Sequence, residues 1–367
     1  MLARYRPLAA MILVSSGLAV PVAAQSAMSA DSPPPKPVIS KRAPPQAAAD
    51  MQAVLAAHAA LGPKPIETLT PAEARRQPTP ADAVKAVMAQ RGLPTAPDAS
   101  VATRELAYGN HPLQKARIYT PSAGAAGTVR PVIVYYHGGG WVIADLDVYD
   151  SAPRMLAKQL DAVVVSVEYR HAPEFKFPAQ HNDAVAAYRW TLANARGWGA
   201  DVGRMAFAGE SAGGNLAINT AIAARNLRLP MPRHILSVYP IANSSMTLPS
   251  RFIAANAKPL STPDLSWFGH YYTRSSADMR DPRINLVAAD LRGLPPVTIV
   301  SAQIDPLLSD GITLTAALRR AGVPVMQRPY PGVTHEFFGM GSVVRGAANA
   351  NAWAVARLRP ALQPMRR

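Results

Sequence analysis

The sequence predicts an α/β fold: a mostly parallel central sheet with helices on both faces and a helical cap. From Lys115 to Leu362, short apolar runs alternate with helix-like segments, which is typical of parallel strands joined by helical crossovers. Two helix-like segments precede the first such strand, and residues 243–279 interrupt the alternation with Pro, Ser and aromatic residues. Because neither exception fits a sheet, residues of about 50–100 and 243–279 are predicted to form the cap.

The N-terminus has the layout of a secretory signal peptide. Arg4 and Arg6 precede an apolar run, and the small residues at 22–24 follow it. We expect residues 1–24 to be a signal peptide, cleaved near Ala24, and the protein to be exported to the periplasm or secreted. The alternative is an uncleaved anchor, although the run is short for a transmembrane helix. No Cys follows the run, which excludes a lipoprotein anchor.

The segment that follows predicts a linker and then two helices. Residues 25–49 are rich in Pro, Ala and Ser and are expected to be disordered, so the catalytic domain is expected to span 50–367. Asp50 is predicted to cap the first helix. Thr79 is predicted to cap the second, with Pro80 in its first position.

The strands and helices of the sheet follow in order. The run PVIVYYHG, from Pro131, is continuously apolar, as expected of a buried central strand. The other predicted strands are KARIYTP, AVVVSVEYR, RMAFAGES, HILSVYPI, PPVTIVSAQID and PVMQRPYPG. The helix-like segments between and after them are YDSAPRMLAKQLD, HNDAVAAYRWTLANA, AGGNLAINTAIAARN, DGITLTAALRRAG and a final helix ending near Leu362.

Composition excludes several function classes. The net charge is +15, but the 38 Lys and Arg residues are scattered without a basic run, so no nucleic-acid partner is expected. The chain has no Cys, which excludes disulfides, thiolate nucleophiles and Cys-bound zinc. No dinucleotide-binding, phosphate-binding or HExxH motif occurs, so neither a cofactor nor a metal is expected.

The five residues at 209–213 match the G-x-S-x-G pattern. They follow a predicted strand and open a predicted helix, the context of a nucleophile elbow that exposes the serine hydroxyl above the sheet. Gly209 and Gly213 would relieve crowding at this turn. Ser211 is therefore the predicted nucleophile; the plain alternative is a flexible loop.

A serine nucleophile needs a base and an acid that orients the base. His335 follows the last predicted strand, and Asp305 follows the strand before it, which gives the chain order serine, acid, histidine. Asp310 is the alternative acid, although a helix N-cap is the expected role for it. Glu336 is predicted to point away from His335.

The stretch YYHGGGW, from Tyr135 to Trp141, predicts an oxyanion hole. Three glycines after a strand leave backbone N–H groups free to face a developing negative charge. Gly139 and Gly140, together with the N–H of Ala212, are the predicted donors. A phosphate-binding loop is the alternative. His137, which precedes Gly138, is predicted to be a hydrogen-bonded structural histidine.

Together, four motifs resemble the hormone-sensitive-lipase-like carboxylesterases and lipases of the α/β-hydrolase fold. They are HGGGW at 137–141, GESAGG at 209–214, DPL at 305–307 and HEF at 335–337. The stretch YRHAPEFKFPA at 169–179 resembles a further family signature, from which it departs at His171, usually leucine, and at Lys176. The resemblance implies short- to medium-chain acyl ester substrates, no cofactor, an N-terminal cap and a possible homodimer.

The sequence therefore predicts an exported serine carboxylesterase that works through an acyl-enzyme intermediate. The alternatives are a ligand-binding protein on a non-catalytic hydrolase scaffold, and a peptidase or acyltransferase with the same triad. No stable membrane insertion is expected after signal cleavage. The substrate pocket is predicted to be lined by cap and loop aromatics, with plain cap packing as the alternative: Trp141, Trp267, Phe268, Tyr271 and Tyr272.

Overall fold

The computed structural model describes residues 45–123 and 127–364, and a sheet of eight strands forms the centre of this part. In chain order the strands are β1 (Val101–Ala107), β2 (Lys115–Pro121), β3 (Arg130–Tyr136), β4 (Val163–Val167), β5 (Ala200–Glu210), β6 (His234–Val238), β7 (Val297–Ile304) and β8 (Val325–Thr334). Across the sheet the order is β1-β2-β4-β3-β5-β6-β7-β8. The first two pairings are antiparallel and the other five are parallel. The predicted α/β architecture is confirmed.

The α-helices of the described residues are α1 (Ala49–Ala60), α2 (Pro71–Ala74), α3 (Pro80–Gln90), α4 (Ser151–Leu160), α5 (Ala179–Asn194), α6 (Ala212–Asn226), α7 (Pro249–Ile253), α8 (Thr262–Tyr272), α9 (Leu308–Arg320) and α10 (Arg345–Leu362). Helices α5, α6 and α9 contribute to one apolar core, and α1, α3, α4 and α10 to a second. These two cores cover the two faces of the sheet.

Strand β3 shows how the sheet serves both cores. Val132 and Val134 belong to one core, whereas Ile133 and Tyr135 belong to the other. Successive side chains of a strand point to opposite faces, so a strand covered on both sides is apolar throughout. All seven residues of β3 are buried. This position explains the continuous apolar run from which the strand was predicted.

Strand β1 was not predicted from the sequence. Its seven residues pair with β2 in register from Val101 with Pro121 to Ala107 with Lys115. Most of its side chains are exposed because it is the edge strand, and only Val101 is buried. Such a strand carries little apolar signal, so hydrophobic patterning could not identify it.

The predicted caps of the first helices had different outcomes. Thr79 caps α3 through a capping box with Asp82, as predicted for that residue. Asp50, in contrast, is not an N-cap, because α1 begins at Ala49 and Ala48 is at the cap position. Its carboxylate instead accepts a hydrogen bond from Arg345 N at 2.7 Å. Asp50 thus joins the starts of α1 and α10.

The described part of the chain begins close to the sheet. The predicted signal peptide, 1–24, and linker residues 25–44 lie outside the described residues. Residues 45–48 lead into α1, and Ala48 N donates a hydrogen bond to Gly332 O at 2.8 Å. Within the described ranges no helix combines the length and the apolar character needed to cross a bilayer.

Two separate stretches of chain meet above the sheet. One contains α2 and the turn before it, and the other contains α7 and α8. They are joined where the indole Nε1 of Trp267 donates to Leu69 O at 2.8 Å. Arg75 ties the first stretch to the body of the fold through Val142 O and an ion pair with Glu174.

Candidate active site

Ser211 lies at the turn between β5 and α6. Its φ of 56° and ψ of −117° are unusual for a residue with a side chain and characterise the strained nucleophile elbow. A Cβ on Gly209 would lie 2.2 Å from Gly213 O, and one on Gly213 would lie 1.9 Å from Tyr136 O. Only glycine fits at both positions, which explains the glycine pattern around this serine.

His335 and Asp305 are in direct contact. His335 Nδ1 lies 2.7 Å from Asp305 Oδ2, and both side chains are buried. The second oxygen of the carboxylate accepts a hydrogen bond from Leu307 N at 2.7 Å. The aspartate follows β7 and the histidine follows β8, so the carboxyl ends of two neighbouring parallel strands bring the pair together.

The surroundings of His335 favour its protonated form. Burial alone would lower the pKa of this imidazole, but the charge and hydrogen bond of Asp305, together with the charges of Glu336 and Glu210, raise the pKa above its usual value. The ring of Tyr239 packs 4.5 Å from the imidazole, measured between centroids. An imidazole in this setting can accept a proton and be stabilised as a cation.

Ser211 and His335 line one cavity of about 580 Å³. Within the described residues, no hydrogen bond joins the side chains of Ser211 and His335. Catalytic hydrogen bonds in ligand-free enzymes often tighten only when substrate binds. The cavity walls come from α1, from the loops that follow the strands and from the two stretches above. Among the lining residues are His58, Ile66, Arg75, Gly139, Gly140, Val148, His171, Ile241, Leu260, Leu265 and Phe268.

The glycine loop after β3 presents free backbone donors to this cavity. Gly139 and Gly140 have φ values of 93° and 58°, and neither N–H has an acceptor among the described residues. Both glycines line the cavity beside Ser211. Ala212 is buried and begins α6, where an N–H has no partner within the helix, although Ala212 is not among the cavity-lining residues.

Comparisons with known proteins agree with this geometry. Residues 133–339 match a family model described as the alpha/beta hydrolase fold. Esterase LipI of Mycobacterium tuberculosis is 39% identical over 249 residues, 67% of this chain and 78% of the relative. The ethyl acetate hydrolase of Pseudomonas putida is 34% identical over 306 residues, 83% of this chain and 94% of that protein.

This chain belongs to the hormone-sensitive-lipase-like carboxylesterases of the α/β-hydrolase fold. It is similar to the crystal structure of a thermostable esterase from Pseudomonas putida ECU1011. The TM-score is 0.75 at 29% identity, covering 86% of this chain and 98% of the other. For the hyperthermophilic esterase of the archaeon Pyrobaculum calidifontis the TM-score is 0.74 at 30% identity, with the same coverage. The enzyme is a carboxylic ester hydrolase, and neither a binding protein nor a peptidase is favoured by these relatives.

In this carboxylesterase Asp310 has a role other than the two predicted for it. It is neither the partner of His335 nor a helix N-cap, because α9 begins at Leu308 with Leu307 at the cap position. The buried carboxylate pairs with Arg251 at 2.7 Å and accepts hydrogen bonds from the N–H groups of Ala242 and Asn243. Asp310 therefore fixes the stretch that contains α7 to the start of α9.

A buried acid beside Ser211 was not anticipated. The two carboxyl oxygens of Glu210 accept hydrogen bonds from the hydroxyls of Tyr135 and Tyr239. Burial raises the pKa of Glu210 to about 7, and the nearby Glu336 adds to the rise. The partners lie 75 and 29 residues away in the chain, so no local sequence signal could have revealed the network.

Glu336 faces the cavity but does not orient His335. It adopts a left-handed φ of 65°, and its Oε1 accepts a hydrogen bond from Tyr149 OH at 3.3 Å. His137, as predicted, is buried and hydrogen-bonded, with Nδ1 2.8 Å from Gly138 O.

Of the aromatic residues predicted to line the pocket, only Phe268 borders the cavity. Trp141 stacks on Tyr272 with ring centroids 4.2 Å apart, and both are buried. Trp267 and Tyr271 pack on each other and border a separate depression on the outer side of α8. Trp267 and Tyr271 are four residues apart and share one side of α8, whereas Phe268 lies on the side that faces the cavity.

Proposed function

We propose that Ser211, His335 and Asp305 form the catalytic triad of this esterase. The 2.7 Å contact between His335 Nδ1 and Asp305 Oδ2, beside a strained serine in the same cavity, is the observation that carries the proposal. With the Nδ1 proton donated to Asp305, Nε2 is the atom that would accept the proton of the serine.

The reaction proceeds in two stages. Ser211 Oγ attacks the ester carbonyl carbon while His335 Nε2 takes its proton, and Asp305 stabilises the imidazolium that forms. The N–H groups of Gly139, Gly140 and Ala212 bind the negative oxygen of the tetrahedral intermediate. His335 then protonates the leaving alkoxide. Water repeats the sequence on the acyl-enzyme and releases the acid.

Esters with short to medium acyl chains are the proposed substrates. The cavity, about 580 Å³, is of the size usual for small-molecule sites, and its lining is largely apolar with Phe268 beside the oxyanion loop. A relative named ethyl acetate hydrolase, aligned over 83% of this chain, supports a small acyl group.

A p-nitrophenyl ester series from acetate to palmitate tests both the proposed nucleophile and the proposed acyl-chain length. We expect turnover to peak at short chains and to disappear in Ser211→Ala. Phe268→Ala should move the optimum toward longer acyl chains because it removes a ring from the cavity wall, whereas Tyr271→Ala, outside the cavity, should leave the optimum in place. Turnover that survives Ser211→Ala would contradict the assignment of the nucleophile.

Export of the enzyme is proposed from residues 1–24, where two arginines precede an apolar run and small residues. Cell fractionation with N-terminal sequencing of the mature protein tests this proposal. A homodimer, expected from the family resemblance, is a separate prediction that light scattering of the mature enzyme can test.

A further inference from the structure

Three buried side chains converge beneath the oxyanion loop: His137, Glu168 and His171. His137 Nε2 lies 3.2 Å and His171 Nε2 lies 3.0 Å from the same carboxylate oxygen, Glu168 Oε1. The three donor atoms all lie within 4.8 Å of one another. His137 follows β3, and the other two residues follow β4, so the cluster lies where two parallel strands end.

The proton positions in this cluster leave one contact without a hydrogen atom. His137 Nδ1 lies 2.8 Å from Gly138 O, which can only accept, so Nδ1 carries the ring proton. The lone pair of a neutral His137 Nε2 would then face a carboxylate oxygen at 3.2 Å. Two lone pairs repel at this distance unless a proton or a metal cation lies between them.

His171 makes the cluster unusual. Its Nε2 is buried, and despite its 3.0 Å approach to Glu168 Oε1 it lacks the alignment of a hydrogen bond with any described residue. A second proton on His137 would pair with the charge of Glu168 but would still leave His171 Nε2 without an aligned hydrogen bond. One cation bound by all three side chains would satisfy every donor atom.

We propose that His137, Glu168 and His171 bind a divalent transition-metal ion of the Zn²⁺ class. Two histidines and one carboxylate are ligands that such ions prefer. Donors bound at about 2.1 Å to one ion lie about 3.0–3.4 Å apart in octahedral to tetrahedral geometry. The two N–O distances, 3.2 and 3.0 Å, fall in this range.

The surroundings of the cluster support a ligand role. The carbonyl of Gly138 favours the His137 tautomer with its proton on Nδ1 and its lone pair on Nε2, and such a contact is the usual outer contact of a metal-bound histidine. Glu168 Oε2 accepts a hydrogen bond from Leu146 N at 3.2 Å and Oε1 a longer one from Tyr169 N at 3.4 Å, so backbone N–H groups hold the carboxylate in place. His171 also lines the cavity, which gives an ion a route of entry and a place for a water ligand.

Bound metal would join the ends of β3 and β4 directly before the glycine loop. The proposed ion takes no part in the ester hydrolysis described above, so the site is independent of the triad. Because an ion that binds only the folded state stabilises it, saturating Zn²⁺ should raise the Tm by about 5 °C.

The test uses the untagged mature enzyme after treatment with a chelator. Isothermal titration with Zn²⁺ should show one saturable site, and Co²⁺ should give the visible absorption of a nitrogen- and oxygen-ligated ion. His171→Leu, which restores the residue usual in the family, should abolish both signals and the Tm rise. His270→Ala, at an exposed histidine, should leave them unchanged.

Three results would overturn the proposal. They are no saturable binding by the wild type, binding that persists in His171→Leu, and binding lost in His270→Ala, which would reveal an adventitious surface site. The Co²⁺ spectrum of the wild type decides the question even if the leucine variant fails to fold, since a spectrum without histidine ligation contradicts the site.

Discussion

Phe268 on α8 lies directly against Gly140 of the glycine loop after β3. A Cβ added to this glycine would lie 2.2 Å from the Cδ1 atom of the ring, and the glycine has a φ of 58°. The stretch above the cavity and the loop that presents the backbone donors are therefore packed together without space between them. A change on either side of this contact is expected to move the donors.

Gly140→Ala should greatly reduce catalysis. The new methyl group must displace Phe268, and alanine disfavours the left-handed backbone, so the donors lose alignment with the oxyanion. We expect kcat to fall about 100-fold or more, the cost of losing one oxyanion donor. Gly269→Ala, where the nearest atom is Met279 Sδ at 4.0 Å, is the matched control and should retain wild-type kcat in the same ester assay.

The two aspartates after β7 should respond in opposite ways to replacement by asparagine. Asp305→Asn removes the charge that stabilises the His335 cation, and kcat should fall about 10⁴-fold, as in serine proteases, with little change in Tm. Asp310→Asn leaves Arg251 buried without its counter-charge. That substitution should lower stability by about 3–5 kcal/mol while the folded enzyme retains its kcat.

Kinetic assays and thermal melts of both variants separate these roles. If Asp310→Asn abolished turnover at a temperature where it is folded, and Asp305→Asn did not, the acid of the triad would have to be reassigned.

The pH dependence of kcat/KM should follow the protonation of His335. The base acts when neutral, so activity should rise as pH increases through its pKa, which Asp305 holds above the ordinary value of about 6.5. The residual activity of Asp305→Asn should have a lower midpoint because the raising charge is gone. A midpoint that is unchanged in this variant would contradict the coupling.

Glu210 should make the stability of the enzyme decrease with rising pH. Its pKa is near 7 in the folded state, whereas an unfolded glutamate ionises near 4.5. Between these values the folded state binds more protons than the unfolded state, so the free energy of unfolding falls as pH rises. Glu210→Gln should flatten this part of the profile, measured by denaturant unfolding from pH 4.5 to 7.5. A slope equal to that of the wild type would show that Glu210 is not its source.

Features that depend on residues close together in the sequence could be predicted. The elbow at Ser211 and the glycines at 138–140 depend on backbone geometry within a few residues, and their patterns reflect it. His335 and Asp305 could be anticipated because parallel strands end at one edge of the sheet. The alternation of strands and helices predicted the architecture because parallel strands are joined by helical crossovers.

Features that rest on distant contacts could not be predicted. The partners of Asp310 and Glu210 come from other elements, and nothing near either residue indicates them. The helical spacing of Trp267, Phe268 and Tyr271 shows that they occupy different sides of α8, but only the packing of α8 shows which side meets the cavity. The edge strand β1 lacks the buried face that periodicity detects.

The most direct test of the triad is mass spectrometry of the enzyme after incubation with a fluorophosphonate. An activated serine forms a stable phosphonyl ester, so we expect one adduct per chain, located on the peptide that contains Ser211, and none in Ser211→Ala. His335→Ala should react far more slowly because its serine lacks the base. An adduct on another residue, or equal labelling of Ser211→Ala, would contradict the account.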